Sequence, residues 1–368
     1  MLGSIKRFIK REIVLSIAIV LTVITCFFVP VDKEYLNYFE MDTLLSLFSM
    51  LVVVTGLKKS NVFDIISRGI ISVFKNRRSL ITGLVFGTFF FDMIVANDMS
   101  LITFLPLTYI VLHATSNDKY LAITFILQTI AANMGGMITP YGNPQNLYLY
   151  SFFNIGINEF IKILLPQYLL VVVLLFFACR FIPKSDLKLN NDKVNVLKRE
   201  QFFLYFYQFI IVIASLFRLV PTWYALFIVV LLTLMIDKKI FKDVDYALLA
   251  TFVVFFIFSG NISRIDLLSN FITSHISKNI LLVGIISCQF ISNVPSAILI
   301  SKFTSNYSDL LIAVNIGSLG ILISSLASLI TLKSFLKYQP GNFKKYIGIY
   351  TVVNFTFLFL ILIFTYLI

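Results

Sequence analysis

The chain has 368 residues, 59% of them hydrophobic and 13% charged, with a mean hydropathy of +0.93. A soluble domain is about a quarter charged, so this composition excludes one and indicates a polytopic membrane protein. The formal charge of +12 is not a nucleic-acid signal, because the Lys and Arg lie in short loops between apolar runs, where they set topology.

Met1 to Glu12 is basic and precedes an apolar run, as in a signal peptide. That run ends in Phe27-Phe28-Val29-Pro30 with no small-x-small cleavage site, so an uncleaved first span is expected. Apolar runs at about 13–30 and 42–57 flank the acidic loop from Asp32 to Asp42. Lys6, Arg7, Lys10 and Arg11 precede them and Lys58 and Lys59 follow, which places the N-terminus in the cytoplasm. Residues 61–75 put Val62, Phe63, Ile66, Ile70 and Phe74 on one helical face, the pattern of a helix lying at the membrane interface.

Ser79 to His113 is too long for one span and carries Asp92, Asn97, Asp98 and Ser100 in its middle. A single crossing would put the following basic loops outside, so a re-entrant hairpin is expected, with its tip at Ala96-Asn97-Asp98-Met99-Ser100. No charged residue occurs from Tyr120 to Asn158, yet residues 131–146 hold three glycines, two prolines, three asparagines and a glutamine. Lipid offers no partners for loosened backbone, so this break predicts a discontinuous helix enclosed by protein or beside a water-filled cavity. A span at about 160–182 leads to a basic loop containing Lys184, Lys188, Lys193, Lys198 and Arg199.

Residues 184–200 are read as a cytoplasmic linker between a first repeat, 1–183, and a second, 201–368. The second half has spans at about 202–219, 222–236 and 245–260, and an amphipathic stretch at 262–277. A hairpin from Asn279 to Phe303 follows, with its tip at Ser292-Asn293-Val294-Pro295-Ser296. A helix from Asp309 to Leu332, broken around Asn315 to Ser328, precedes the last span at 346–368. The extra span at 202–219 inverts the second half and leaves the C-terminus outside. A shift of 182 residues pairs Asn133 with Asn315, Gly135 with Gly317, Gly136 with Ser318 and Gly142 with Ser324. The expected architecture is therefore all-α, with nine full spans and two opposed hairpins in two inverted repeats, the pattern of a secondary transporter.

At these residues the chain resembles the ion transporter superfamily, which includes citrate-transporter-like and divalent anion/sodium symporter families, arsenite permeases and some sodium/proton antiporters. Residues 132–146, Ala-Asn-x-Gly-Gly-x-x-Thr-Pro-x-Gly-Asn-Pro-x-Asn, carry the most specific part. Ser292-Asn293 looks like half of a Ser-Asn-Thr signature, with Val294 in place of the threonine; the first tip departs further, as Ala96-Asn97-Asp98. The second break lacks the prolines. The resemblance implies a plasma-membrane carrier for a small carboxylate or inorganic oxyanion coupled to Na⁺ or H⁺, with no other cofactor, and a family tendency to form homodimers through a scaffold portion.

Asn97, Asp98, Ser100, Pro144, Ser292, Asn293 and Ser296 are the expected substrate residues, since a helix starting at each tip adds partial positive charge towards an anion. Unwound carbonyls with hydroxyls suit a hard cation. Asn97, Asp98, Gly135, Gly136, Thr139, Gly142, Asn143, Asn293, Gly317, Ser318, Ser324 and Ser325 are the expected Na⁺ positions. Small residues also let helices pack closely without any ligand. Asp98 in the bilayer costs roughly 3 kcal/mol on insertion scales, so it holds Na⁺, carries the coupling proton, makes a salt bridge or sits in a wet vestibule. An alternative reading is a sodium/proton antiporter using Asp98. For Asp92, a structural hydrogen bond to the neighbouring bundle is preferred. His113 and His275 are solitary, as are Cys26, Cys179 and Cys288, and no HExxH, GxSxG or P-loop pattern indicates an enzyme.

Overall fold

The computed structural model describes residues 12–62, 65, 74, 76–95, 97–186, 198–267, 270 and 279–368. Helices α1 (Ile13–Cys26) and α2 (Met41–Lys59) are followed by a hairpin of α3 (Arg77–Asp92) and α4 (Asn97–Ala114). An interrupted helix comes next, with α5 (Leu121–Gly135) separated from α6 (Pro144–Phe152) by a tight turn at Gly136–Ile138 and an extended stretch. Helices α7 (Ile157–Arg180), α8 (Arg199–Leu216), α9 (Thr222–Asp237) and α10 (Tyr246–Ser263) follow. The second hairpin is α11 (Ile280–Ile291) and α12 (Asn293–Ser301), and the second interrupted helix is α13 (Tyr307–Ile316) and α14 (Leu326–Tyr338). Helix α15 (Phe343–Leu367) ends the fold. The all-α polytopic expectation holds, and both hairpins and both breaks lie where composition placed them. The two interfacial stretches, 61–75 and 262–277, and the centre of the basic linker fall largely outside the described residues.

The polar residues that interrupt the hydropathy are also the ones that start helices. Asn76 and Ser79 form a reciprocal capping box on α3. Pro144 occupies the first turn of α6, where its missing N–H costs nothing. Asp245, Asn279, Asn306 and Ser325 accept backbone N–H bonds at the starts of α10, α11, α13 and α14. The foot of the first hairpin is tied to the end of α7, because the Arg77 guanidinium donates to the Pro183 carbonyl and to Asn117 Oδ1 at 2.8–3.1 Å.

Burial sorts the helices by their surroundings. In the apolar 18-residue stretch of Asp118–Ile138, 94% is buried within the protein, against 28% in that of Phe343–Leu367. The helix that ends in unwound backbone is thus the enclosed one, and the uninterrupted helix takes the lipid-facing position, as the cost of unsatisfied amides in hydrocarbon requires. The two halves pack into each other. Helix α2 lies against α8 and α9, α1 against α10, α4 against α14, and α12 against α6.

The aromatic residues divide: Phe176, Phe177, Phe203, Trp223 and Phe359 are exposed, whereas Tyr148, Tyr205, Tyr346, Tyr350, Phe252 and Phe255 are fully buried. Rings of this size fill the space between helices that small residues alone would leave loose, and the buried hydroxyls of Tyr148 and Tyr350 are bonded, to Ser301 and Ser328 at 2.7 Å each.

Candidate functional site

The two breaks and the two hairpin tips meet at one centre. Asp92, fully buried at the end of α3, accepts the Gly136 N–H on Oδ2 at 2.7 Å. The Thr139 hydroxyl donates to the Met93 carbonyl at 3.1 Å, which ties the first tip to the first break. On the other side Gln289 Nε2 donates to the Gly317 and Leu319 carbonyls at 3.0 Å, and its Oε1 accepts the Ile321 N–H at 3.0 Å. The breaks then bond to each other reciprocally. Asn133, before the first break, donates to Ser325 Oγ after the second at 2.9 Å. Asn315, before the second break, donates to Asn146 Oδ1 after the first at 2.7 Å.

Helices α4, α6, α12 and α14 begin at this centre, and α3, α5, α11 and α13 end there. Each beginning carries roughly half a positive charge and each end roughly half a negative one. Hydrogen bonds link these beginnings and ends in series, first tip to first break, break to break, and second break to second tip. Three buried amide oxygens, Asn133 Oδ1, Asn143 Oδ1 and Gln145 Oε1, have no hydrogen-bond partner there, and neither does Ser100 Oγ. Buried oxygens of this kind suit a hard cation that takes oxygen ligands. Among the described residues no cluster of three His, Cys, Asp or Glu side chains is present.

The small residues divide into two kinds. A Cβ on Gly135 would run into the Phe89 backbone carbonyl, and one on Gly317 would meet the Ala313 carbonyl at 2.7 Å and Cys288 Sγ at 2.8 Å. These two glycines are explained by close helix approach. Gly136 and Gly142 face each other across the first break, where a Cβ on Gly136 would lie 2.5 Å from Asp92 Oδ2. In the second break the corresponding Ser324 closes the turn differently, its hydroxyl donating to the Ser318 and Ile321 carbonyls at 2.8 and 2.7 Å. Ser318 Oγ donates to the Asn315 carbonyl at 2.6 Å, and Asn143 Nδ2 donates to the Asn133 carbonyl at 3.1 Å.

Of the tip residues, Asn97, Ser100, Ser292, Asn293 and Ser296 are all buried. Asn293 Oδ1 accepts the Val294 N–H at 3.0 Å, and Ser296 Oγ pairs with Ser287 at 2.9 Å. The Asp98 side chain lies outside the described residues. The tips do not open into one shared cavity. Ser292 to Pro295 line a cleft of about 610 Å³, counting its mouth, with Glu12, Asp245 and Lys333 along it. Met99 and Pro144 line a separate apolar cavity of about 380 Å³. Leu248 of α10 borders both.

Ser292 has φ 74° and ψ 162°, a region that is essentially reserved for glycine. Such strain costs about 1–3 kcal/mol and gathers at functional sites. Ser292→Gly is expected to raise the melting temperature of the purified protein and to slow transport, because the tip is no longer held in one conformation. A lowered melting temperature would rule out stored strain at this tip.

Sequence reasoning missed Gln289, although a glutamine three residues before a hairpin tip in an otherwise apolar run was a visible signal. It also left Asn133, Gln145 and Asn315 off the ligand set, although the 182-residue register had already paired Asn133 with Asn315.

Comparison with known proteins points the same way. The model of a citrate transporter family (CitMHS) matches residues 4–310. An uncharacterised transporter of Methanocaldococcus jannaschii is 31% identical over 301 residues, 82% of each chain. The inner membrane protein YbiR of Escherichia coli is 27% identical over 313 residues, 83% of each chain. A match over most of the chain, together with paired hairpins and interrupted helices that enclose a polar centre, means that this protein belongs to the citrate transporter family and is a multi-pass membrane transporter.

Proposed function

We propose that the protein is a secondary active transporter that moves a small anion, a carboxylate or an inorganic oxyanion, across the plasma membrane together with Na⁺ or H⁺. The observation that carries this reading is the meeting of four helix beginnings and four helix ends around buried amide oxygens that lack donors. The beginnings favour the anion and the ends, with those oxygens, favour the cation. In this reading the two halves are inverted repeats, the N-terminus is cytoplasmic and the C-terminus is outside. Asn97 and Asn293 offer amide donors to the anion, and Asn133, Asn143 and Gln145 supply oxygens to the cation. The reciprocal bonding of Asn133 with Ser325 and of Asn146 with Asn315 supports the repeat.

The test is a thermal-shift screen of the purified protein against small anions in Na⁺ and in K⁺. Stabilisation by an anion that requires Na⁺ is expected, because each ligand offsets the charge of the other in a low-dielectric site. An anion shift that is the same in Na⁺, in K⁺ and at every pH would rule out coupling.

A second reading, sodium/proton antiport, is favoured by Asp98 in the first tip, where the resemblance puts threonine in anion symporters. Proton-linked Na⁺ flux in liposomes should vanish in Asp98→Asn under this reading and persist in part under anion symport.

A further inference from the structure

A second polar cavity lies well away from the central site, where α7, α11, α13 and α15 come together. It encloses about 1040 Å³, counting its mouth, and its polar lining is Gln167, Asn279, Asn306, Asp309, Thr365 and Tyr366. Each amide nitrogen around it makes one bond and keeps a second N–H. Asn279 Nδ2 donates to Tyr366 Oη at 2.8 Å, Asn306 Nδ2 to Asp309 Oδ2 at 2.9 Å, and Gln167 Nε2 to Thr365 Oγ1 at 3.4 Å. The Thr365 hydroxyl proton goes to the Ile361 carbonyl at 2.8 Å. Gln167 is 1% exposed and its Oε1 has no partner, and the Asp309 carboxylate belongs to the same lining. Among the described lining residues there is no Lys or Arg to neutralise that carboxylate.

A carboxylate without a neighbouring cation and a buried unpaired carbonyl oxygen suit a ligand group that donates several hydrogen bonds and carries positive charge. A primary ammonium does both. The rest of the wall is isoleucine and leucine from helices whose outer faces are lipid-exposed, among them Ile163, Leu281 and Ile312. This lining fits the glycerol and first methylenes of an acyl chain. The second N–H groups of Asn279 and Asn306 and the Tyr366 hydroxyl are donors for a phosphodiester oxygen of the same ligand. We infer that this cavity is a binding site for a lipid with a primary-ammonium headgroup, held by Asp309 and Gln167 at the membrane surface, separate from the transport site.

The test uses the full-length protein in nanodiscs made with phosphatidylethanolamine or with phosphatidylcholine, whose quaternary ammonium has no N–H to give. Native mass spectrometry of released complexes and melting temperatures are read for the wild type, Asp309→Asn and Gln167→Leu. The expected result is selective retention of phosphatidylethanolamine and a higher melting temperature with it. Retention should fall about tenfold in each variant, as loss of one charge-assisted hydrogen bond implies. Asp309 is exposed, so Asp309→Asn reads headgroup binding without disturbing the core. Equal retention of the two lipids by the wild type would overturn the inference. So would a preference left intact in both variants. Equal protection by free ethanolamine at the same concentration would assign the site to a soluble amine and overturn the lipid reading.

Discussion

Gly142→Ala is expected to abolish transport and to lower the melting temperature. The added methyl would be driven into the Gly136 carbonyl oxygen and would lie 2.5 Å from Gly136 Cα and 2.7 Å from Thr139 Oγ1. Two of these three are backbone atoms, which cannot rotate away. Relief would require opening the turn from Gly136 to Asn143. The same turn positions the Asn143 amide, which donates to the Asn133 carbonyl at 3.1 Å, and the Asn146 amide, which donates to the Gly136 and Met137 carbonyls at 3.4 and 3.2 Å. Overpacking of this kind costs about 1–3 kcal/mol in stability, and the larger loss falls on ligand geometry. Ser324→Ala at the corresponding place in the second break removes two hydroxyl bonds and adds no clash, at about 1 kcal/mol. Ion-dependent thermal shifts and liposome uptake on the two variants side by side decide it. If Ser324→Ala is the more damaged of the two, the tightly closed first break is not the dominant half of the site.

Asp92 should separate into a tie and a charge. Asp92→Ala leaves the Gly136 N–H buried without its acceptor and cuts the bond between the first tip and the first break. A charge-assisted bond of this kind contributes about 1.5–3 kcal/mol, so the variant is expected to lose both stability and transport. Asp92→Asn keeps an acceptor oxygen of the same shape and removes the charge. It is expected to retain a melting temperature near wild type and transport within about tenfold of it. Uptake by Asp92→Asn as low as that of Asp92→Ala, with the fold intact, would show that the carboxylate charge takes part in transport and is not only a tie.

The elements were legible in the sequence for a physical reason. A bilayer forces long apolar runs, and a polar cluster inside such a run has few permitted forms: a hairpin tip or an enclosed break. Residues 131–146 met that condition, and so did the stretch around Ser292 and Asn293. The 182-residue register also anticipated the partnership of Asn133 and Asn315 as equivalent positions. It did not reveal that each bonds to the far side of the other's break, because a linear shift carries equivalence and not contact.

Composition and charge order by themselves determined that the chain is helical, membrane-spanning and doubly interrupted. Burial was decided only when the helices packed. Packing separated the buried Phe252 and Phe255 from the exposed Phe177 and Phe203, which look alike to any hydropathy scale. The same packing distinguished Gly135 and Gly317, which admit a neighbouring helix, from Gly136 and Gly142, which close a turn. It also left Asn133, Asn143 and Gln145 with oxygens that no donor reaches. A side chain's identity states which bonds it can make. Whether they are made depends on distances of about 3 Å between residues nearly two hundred apart in the chain, which only the tertiary structure sets.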